Sequence, residues 1–83
     1  MDKETVRSKM LEITVYKAEN SWLEPTEISD DSNLGTDIGL DSLDVTEIAM
    51  EAENAFDIVI FEREYSSNMT FGELVDLVYK KAK

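Results

Sequence analysis

Residues 39–56 read GLDSLDVTEIAMEAENAF, a helix-starting motif that leads directly into an amphipathic helical pattern. Asp41 is a residue type that caps helix N-termini, and Gly39 just before it lets the chain turn. At about 100° per residue, one face of the following helix is apolar. We therefore predict a helix from Asp41 or Ser42 to about Ala55. Its core face is expected to consist of Val45, Ile48, Ala49, Ala52 and Phe56.

The opposite side of this helix carries two apolar side chains in an acidic setting. Leu43 and Met50 project there, and the surrounding carboxylates are Asp44, Glu47, Glu51 and Glu53. Apolar anchors supply affinity in protein interfaces, while charges supply steering. A lone exposed hydrophobic residue needs no function, but the pair beside Ser42 favours a surface that contacts a partner.

Three other segments favour helix. Residues 3–18 carry an apolar stripe, Thr70 and Glu73 form a capping box that opens a last helix over residues 71–81, and residues 62–66 favour a short helix. The inward side chains are expected to be Val6, Met10, Leu11, Ile13 and Val15 in the first helix and Phe71, Leu74, Val75 and Val78 in the last. The pattern predicts an all-α bundle of three main helices plus a short one.

Residues 19–40 form a long connection between the first two main helices. It contains Pro25, the only proline, and a polar cluster, SDDSN. Apolar residues spaced through it are expected to pin it to the core: Trp22, Leu23, Ile28 and Leu34. A loop of this length in a small domain is usually packed down or functional.

Composition allows one domain, residues 1–83, with no cysteine and a net charge of -11. Residues 21–57 hold eleven acidic residues and no basic one, whereas acids and bases balance on either side. Such a segment repels nucleic acid and anionic membranes and attracts basic protein surfaces. No signal-peptide pattern is present, and the longest apolar run, IVIF, is too short to cross a bilayer. We expect a cytoplasmic protein without membrane insertion.

Ser42 has few chemical uses that the sequence supports. A nucleophilic serine needs a base, but the chain has no histidine, and every lysine lies within residues 3–17 or 80–83. A calcium loop starting at Asp30 would place Leu34 at a ligand position, so that motif fails. We predict no catalytic residue and no metal site.

A serine in the first turn of a helix can also carry an attached anion. Unpaired backbone N–H groups and the positive end of the helix dipole favour a phosphate there. The hydroxyl would then be the substrate of another enzyme. Position alone leaves open the simpler alternative that Ser42 only helps to start the helix.

Residues 37–60, DIGLDSLDVTEIAMEAENAFDIVI, resemble the modification segment of acyl carrier proteins, in the phosphopantetheine-carrier family. Gly39 to Leu43 are in register with the family's L-G-x-D-S-L core, with Ile38 in place of its usual leucine. Phe56, Asp57, Ile58 and Ile60 match the end of its helix. The resemblance continues through TFGELVDLV and backwards through EISDDSNL, so it covers most of the chain.

This resemblance implies a four-helix bundle that is not an enzyme. Ser42, next to Asp41, would hold 4'-phosphopantetheine, transferred from coenzyme A by a phosphopantetheinyl transferase, and the arm would carry acyl groups as thioesters. Loading, elongating or acyl-transferring enzymes with basic surfaces would dock on Asp41, Leu43, Asp44, Glu47, Met50 and Glu53. The acyl pocket would be formed by Val45, Ile48, Ala49, Ala52 and Ile60. We expect a monomer.

Several positions depart from the family pattern. Thr46 stands where an apolar residue is common, Ala52 where a larger one is frequent, and Phe61 where proline is frequent. SSNM replaces a more helical stretch, and the first loop is longer. A stand-alone carrier for fatty-acid, lipid or polyketide-type biosynthesis is the leading hypothesis. The alternatives are an aminoacyl or peptidyl carrier, or a carrier-like interaction protein that is never modified.

Overall fold

In a computed structural model that describes residues 2–18 and 24–82, the chain forms three α-helices and two 3-10 turns. The helices are α1 (Lys3–Lys17), α2 (Ser42–Phe56) and α3 (Phe71–Ala82), and the turns are Pro25–Glu27 and Glu62–Glu64. Within these described ranges there is no β-strand, only an isolated antiparallel bridge between Asn33 and Thr70. The all-α prediction is confirmed.

The fourth helix is shorter than the sequence predicted. Residues 62–66 were expected to be helical, but only Glu62–Glu64 form a single 3-10 turn. The Glu64 carboxylate accepts a hydrogen bond from the backbone N–H of Phe61 at 2.9 Å and so closes the turn. Tyr65 then adopts an extended conformation, with φ -132° and ψ 161°. The helix cannot continue beyond this residue, and the following serines form a turn.

The core lies where α1 packs against both α2 and α3. It contains the predicted inward residues Val6, Met10, Ile13, Val45, Ile48, Ala49, Ala52, Phe71, Leu74, Val75 and Val78, all of them buried. Leu11, Val15 and Phe56 are only partly buried against it. Thr14, which was not predicted to be inward, is fully buried because it lies one helical turn beyond Met10 on the same face.

The long connection is fixed to the segment that precedes α3. Leu34 donates a backbone hydrogen bond to Met69 at 3.0 Å, and Gly35 donates one to Ser67 at 2.8 Å. Ile28 and Leu34 are buried, as predicted, whereas Trp22 and Leu23 lie outside the described residues. The loop is therefore packed down, and it holds the start of α2 beside the Ser66–Ser67 turn.

The helix ends follow the capping pattern of the sequence. The predicted box before α3 is present, because Thr70 N–H donates to the Glu73 carboxylate at 2.8 Å and Glu73 N–H donates to the Thr70 hydroxyl at 3.1 Å. At its C-terminus, α2 is capped by Asp57, the residue after Phe56, in the left-handed conformation with φ 54°. None of the helices in the described ranges has the length and apolar character that a bilayer span requires.

Candidate functional site

Two aspartates fix the first turn of α2. Asp41 Oδ1 accepts a hydrogen bond from Asp44 N–H at 2.8 Å, and Asp44 Oδ2 accepts one from Asp41 N–H at 3.2 Å. Gly39 reaches this cap with φ 86°, in the region that side chains rarely adopt. The reciprocal cap places Ser42 as the first residue of the helix.

Ser42 is exposed, and its hydroxyl and backbone N–H have no hydrogen-bond partner within the described residues. Its backbone N–H and that of Leu43 belong to the first turn, where no helix carbonyl can reach them. No other residue in the described part of the chain accepts from them, because the capping carboxylates bond to Asp41 and Asp44 instead. A phosphodiester on the Ser42 oxygen would therefore meet two free donors and the positive end of the helix dipole.

The surroundings of Ser42 do not make it a nucleophile. Its hydroxyl has no hydrogen-bond partner among residues 2–18 and 24–82, and the chain contains no histidine. A serine hydroxyl reacts only when an adjacent group removes its proton. The arrangement suits a hydroxyl that another protein activates.

A cavity of about 210 Å³ opens directly beside Ser42. It lies between the first turns of α2 and the segment from Glu62 to Ser67, and its walls are formed by Ser42, Val45, Thr46, Glu62, Tyr65, Ser66 and Ser67. Thr46 Oγ1 donates to the Ser42 carbonyl at 2.9 Å, and the Tyr65 hydroxyl donates to Thr46 Oγ1 at 3.4 Å. These two bonds connect the attachment turn to the opposite wall.

Of the five predicted acyl-pocket residues, Val45 lines this cavity. All five side chains are buried in the core, which places them behind the mouth rather than around an open channel: Val45, Ile48, Ala49, Ala52 and Ile60. Tyr65, Ser66 and Ser67 were not predicted as site residues, and Thr46 was noted only as a departure from the family pattern. The sequence feature that could have indicated these cavity residues is the polar run YSSN, residues 65–68, after the short helical segment.

The predicted docking residues on α2 differ in how exposed their side chains are and in whether those side chains already have partners. Leu43 and Met50 are 64% and 57% exposed and lie on the same side of the helix. Asp44 belongs to the cap, and Glu47 pairs with Lys17 of α1 at 3.2 Å. Glu53 instead accepts from the backbone N–H of Ile60 at 2.9 Å, so its carboxylate is bound to the loop after α2.

A larger cleft, of about 540 Å³, lies between α1 and the C-terminal half of α2. It is lined by residues such as Ile13 and Tyr16 from α1 and Asn54 from α2, and Ser42 is not among them. By volume alone this cleft would be chosen as the candidate site, but the free N–H groups of Ser42 and Leu43 and the exposed Ser42 hydroxyl are at the other end of α2. The groups that could hold a phosphate therefore lie at the smaller cavity.

Comparison with known proteins gives a consistent family match. Residues 19–78 match the family described as phosphopantetheine attachment site. The chain is 34% identical over 76 residues to an acyl carrier protein of Amoebophilus asiaticus, covering 92% of this chain and 91% of the relative. It is 35% identical over 81 residues to one of Prochlorococcus marinus, covering 98% of each. An acyl carrier protein of Chlorobium luteolum is 32% identical over 81 residues, covering 98% of this chain and all of the relative.

Proposed function

Because this chain belongs to the phosphopantetheine-attachment family of acyl carrier proteins, we propose that Ser42 is the residue that holds its 4'-phosphopantetheine. The protein is a stand-alone carrier rather than an enzyme, and the arm supplies the thiol that a chain without cysteine lacks. The observation that carries the assignment is the exposed Ser42 hydroxyl beside the unpaired N–H groups of Ser42 and Leu43.

The attachment step needs a transferase, because Ser42 has no base of its own. The Ser42 oxygen forms a bond to the phosphorus of coenzyme A next to the pantetheine, and the pyrophosphate bond breaks. The adenine nucleotide leaves, and a base on the transferase takes the serine proton. Within this chain, the reciprocal Asp41–Asp44 cap holds the first turn in place and keeps both carboxylates bonded to backbone N–H groups.

The visiting enzymes are expected to dock on the acidic side of α2. Leu43 and Met50 are the apolar anchors, and the carboxylates around them steer basic surfaces. Glu47 remains part of this surface although Lys17 pairs with it, because the Glu47 side chain is still about half-exposed and its carboxylate can exchange partners. Glu53 is the weakest member of the predicted set, since the Ile60 N–H already occupies its carboxylate.

We extend the proposal to the path of the acyl chain, the biosynthetic setting and the oligomeric state. An acyl chain would enter through the cavity beside Ser42 and extend towards Val45, Ile48, Ala49, Ala52 and Ile60. Fatty-acid, lipid or polyketide-type biosynthesis is the proposed setting, in the cytoplasm and as a monomer. Sedimentation at several concentrations tests the monomer, because a reversible dimer would change its apparent mass with concentration.

The attachment proposal is tested by intact-mass measurement. The purified protein is incubated with coenzyme A and a broad-specificity phosphopantetheinyl transferase, in parallel with Ser42→Ala and Ser66→Ala variants. The expected result is one added phosphopantetheine in the wild type and in Ser66→Ala, and none in Ser42→Ala. A wild type that stays unmodified with several transferases would contradict the proposal and favour an interaction protein that is never modified.

A further inference from the structure

Tyr65 lies between the cavity beside Ser42 and the apolar core. Its side chain forms part of the cavity wall and also packs against the cluster of buried core residues. The core residues proposed to receive the acyl chain are closed to solvent, since each is at most 7% exposed: Val45, Ile48, Ala49, Ala52 and Ile60. An acyl chain that enters beside Ser42 therefore meets the Tyr65 ring on its way to the interior.

The hydroxyl of Tyr65 holds this ring across the cavity, against α2. It donates to Thr46 Oγ1 at 3.4 Å, and Thr46 in turn donates to the Ser42 carbonyl at 2.9 Å. Thr46 keeps its bond to the carbonyl when the tyrosine moves, so displacement of the ring breaks one hydrogen bond at the long end of the usual range. The Tyr65 side chain is partly exposed, and water can replace Thr46 as its partner.

The chain on either side of Tyr65 is held more firmly than the tyrosine side chain. The carboxylate of Glu64 pairs with the Lys81 ammonium at 3.0 Å, and the Ser67 carbonyl accepts from the Gly35 N–H at 2.8 Å. Both distances are shorter than the 3.4 Å of the Tyr65 hydroxyl bond. The movement that opens the route is therefore a rotation of the Tyr65 side chain between fixed neighbours.

The balance between the closed and the open position of the ring depends on the length of the acyl chain. Turning the ring outward exposes apolar surface and breaks one hydrogen bond, and this cost is the same for every cargo. Each methylene group that then passes into the core adds a further favourable transfer free energy. A short chain buries too few methylene groups to offset the displaced ring, whereas a longer chain buries enough.

From these observations we infer that Tyr65 is a specificity-determining residue, which selects by length the acyl chains that this carrier shelters. Its ring closes the route from Ser42 to the core and turns aside for chains that are long enough to offset its displacement. Short acyl groups remain exposed on the arm. The inference rests on the proposed attachment at Ser42, and it adds to that proposal a selection among cargoes.

The test compares a short and a longer saturated cargo. The wild type is loaded by a broad-specificity transferase from butyryl-coenzyme A or octanoyl-coenzyme A, and loading is verified by intact mass. Release of each acyl group by hydroxylamine is then timed relative to the same free coenzyme A thioester. We expect octanoyl to be released about tenfold more slowly than its free thioester, as when about nine-tenths of the molecules shelter it. Butyryl should be released within about twofold of the rate of its own free thioester.

Variants of Tyr65 locate the effect in the ring. Tyr65→Ala removes the ring, and we expect butyryl release to become about fivefold slower than that of its free thioester, because entry no longer displaces a side chain. Tyr65→Phe keeps the ring, and butyryl should stay exposed as in the wild type. Tyr16→Ala, at a tyrosine that is 70% exposed on α1 and outside this cavity, is the matched control. A merely structural role of Tyr65 predicts the opposite change, because a loosened core shelters every chain less well.

The loaded wild type provides a measurement that does not depend on variants. The ring signals of Tyr65 and the amide signal of Thr46 in the nuclear magnetic resonance spectrum should shift with octanoyl on the arm and not with butyryl. This comparison decides the question if Tyr65→Ala does not fold. Unshifted Tyr65 signals beside a protected octanoyl group would overturn the inference, because the chain would then take another route.

The outcomes separate this inference from the attachment proposal. If no arm is added at Ser42, the attachment proposal fails at the loading step. If loading succeeds, the selection by Tyr65 alone is wrong when the wild type protects butyryl as well as octanoyl, or protects neither. It is also wrong when butyryl on a folded Tyr65→Ala variant stays as exposed as on the wild type.

Discussion

Glu53 Oε2 accepts a hydrogen bond from the backbone N–H of Ile60 at 2.9 Å, across seven residues of chain. This bond ties the loop after α2 back onto the helix and buries part of a carboxylate that the sequence assigns to partner docking. The loop carries Ile60 into the core and sets where the segment from Glu62 begins. The position of the cavity wall opposite Ser42 therefore depends on Glu53.

Removing this carboxylate should destabilise the fold. We expect Glu53→Ala to lower the free energy of unfolding by about 1–3 kcal/mol, because the partly buried Ile60 N–H loses a charged acceptor. Glu51→Ala, which removes an exposed carboxylate from the same helix, is the control and should change it by less than about 0.5 kcal/mol. Urea unfolding followed by circular dichroism measures both, and equal effects would refute the role of the bond.

Thr14 is a buried hydroxyl without a partner in the described structure. Its Oγ1 has no hydrogen bond, and the residue is 0% exposed on the core face of α1. We expect Thr14→Val to raise the free energy of unfolding by about 1 kcal/mol, since it replaces an unpaired buried hydroxyl by a methyl group of similar size. The matched control is Thr5→Val on the exposed side of α1. Destabilisation by Thr14→Val in urea unfolding would show that the hydroxyl has a partner in solution.

Acid should weaken the contact between the 3-10 turn and α3. The backbone N–H of Phe61 and then the Lys81 ammonium hold the pKa of Glu64 below its usual range. A carboxylate whose pKa is lowered on folding stabilises the fold above its ordinary pKa of about 4.3, and this contribution is lost as pH falls through the lowered value. Glu64→Gln should therefore be less stable than wild type at pH 7, and the difference should shrink on acidification.

Thermal unfolding across this acidic range measures the difference between Glu64→Gln and wild type. Glu62→Gln removes an exposed charge two residues away and is the control, with a difference that should vary less with pH. A Glu64→Gln difference that grows on acidification would have the wrong sign for this account.

The exposed apolar pair on α2 should matter for modification and not for folding. Leu43→Ala and Met50→Ala are each expected to lower kcat/KM of the transferase about tenfold, which is about 1.4 kcal/mol of interface energy. Val59→Ala is the matched control, because Val59 is 62% exposed on the loop that follows α2. The modification rates are measured by intact mass. Equal kcat/KM values for all three variants would contradict the proposed docking surface.

The sequence predicts those features that depend on local chemistry. Asp41 before Ser42 and the Thr70–Glu73 pair are helix-start signals that act within one turn, and both caps form as expected. The periodicity of residues 45–52 identifies the buried face of α2 for the same reason. Each feature depends on residues no more than four positions apart, so it can be predicted without knowledge of the fold.

Features that join distant segments could not be predicted in this way. Lys17 meets Glu47 across 30 residues, and Tyr65 meets Thr46 across 19, only because the helices pack at particular angles. The burial of Thr14 likewise depends on how far the α1 interface extends beyond Met10 and Ile13. The walls of the cavity beside Ser42 come from two such segments, and so its hydroxyl lining emerged only with the tertiary structure.

The central claim is that Ser42, among several nearby hydroxyls, bears the phosphopantetheine. After modification, digestion on the carboxyl side of glutamate yields the peptide of residues 28–47, which holds Ser42 together with Thr46 and other hydroxyl residues. Electron-transfer fragmentation of this peptide localises the added mass. The account predicts that the mass step falls between Asp41 and Leu43, at Ser42. A step at Thr46 or another residue, or an unmodified peptide, would contradict it.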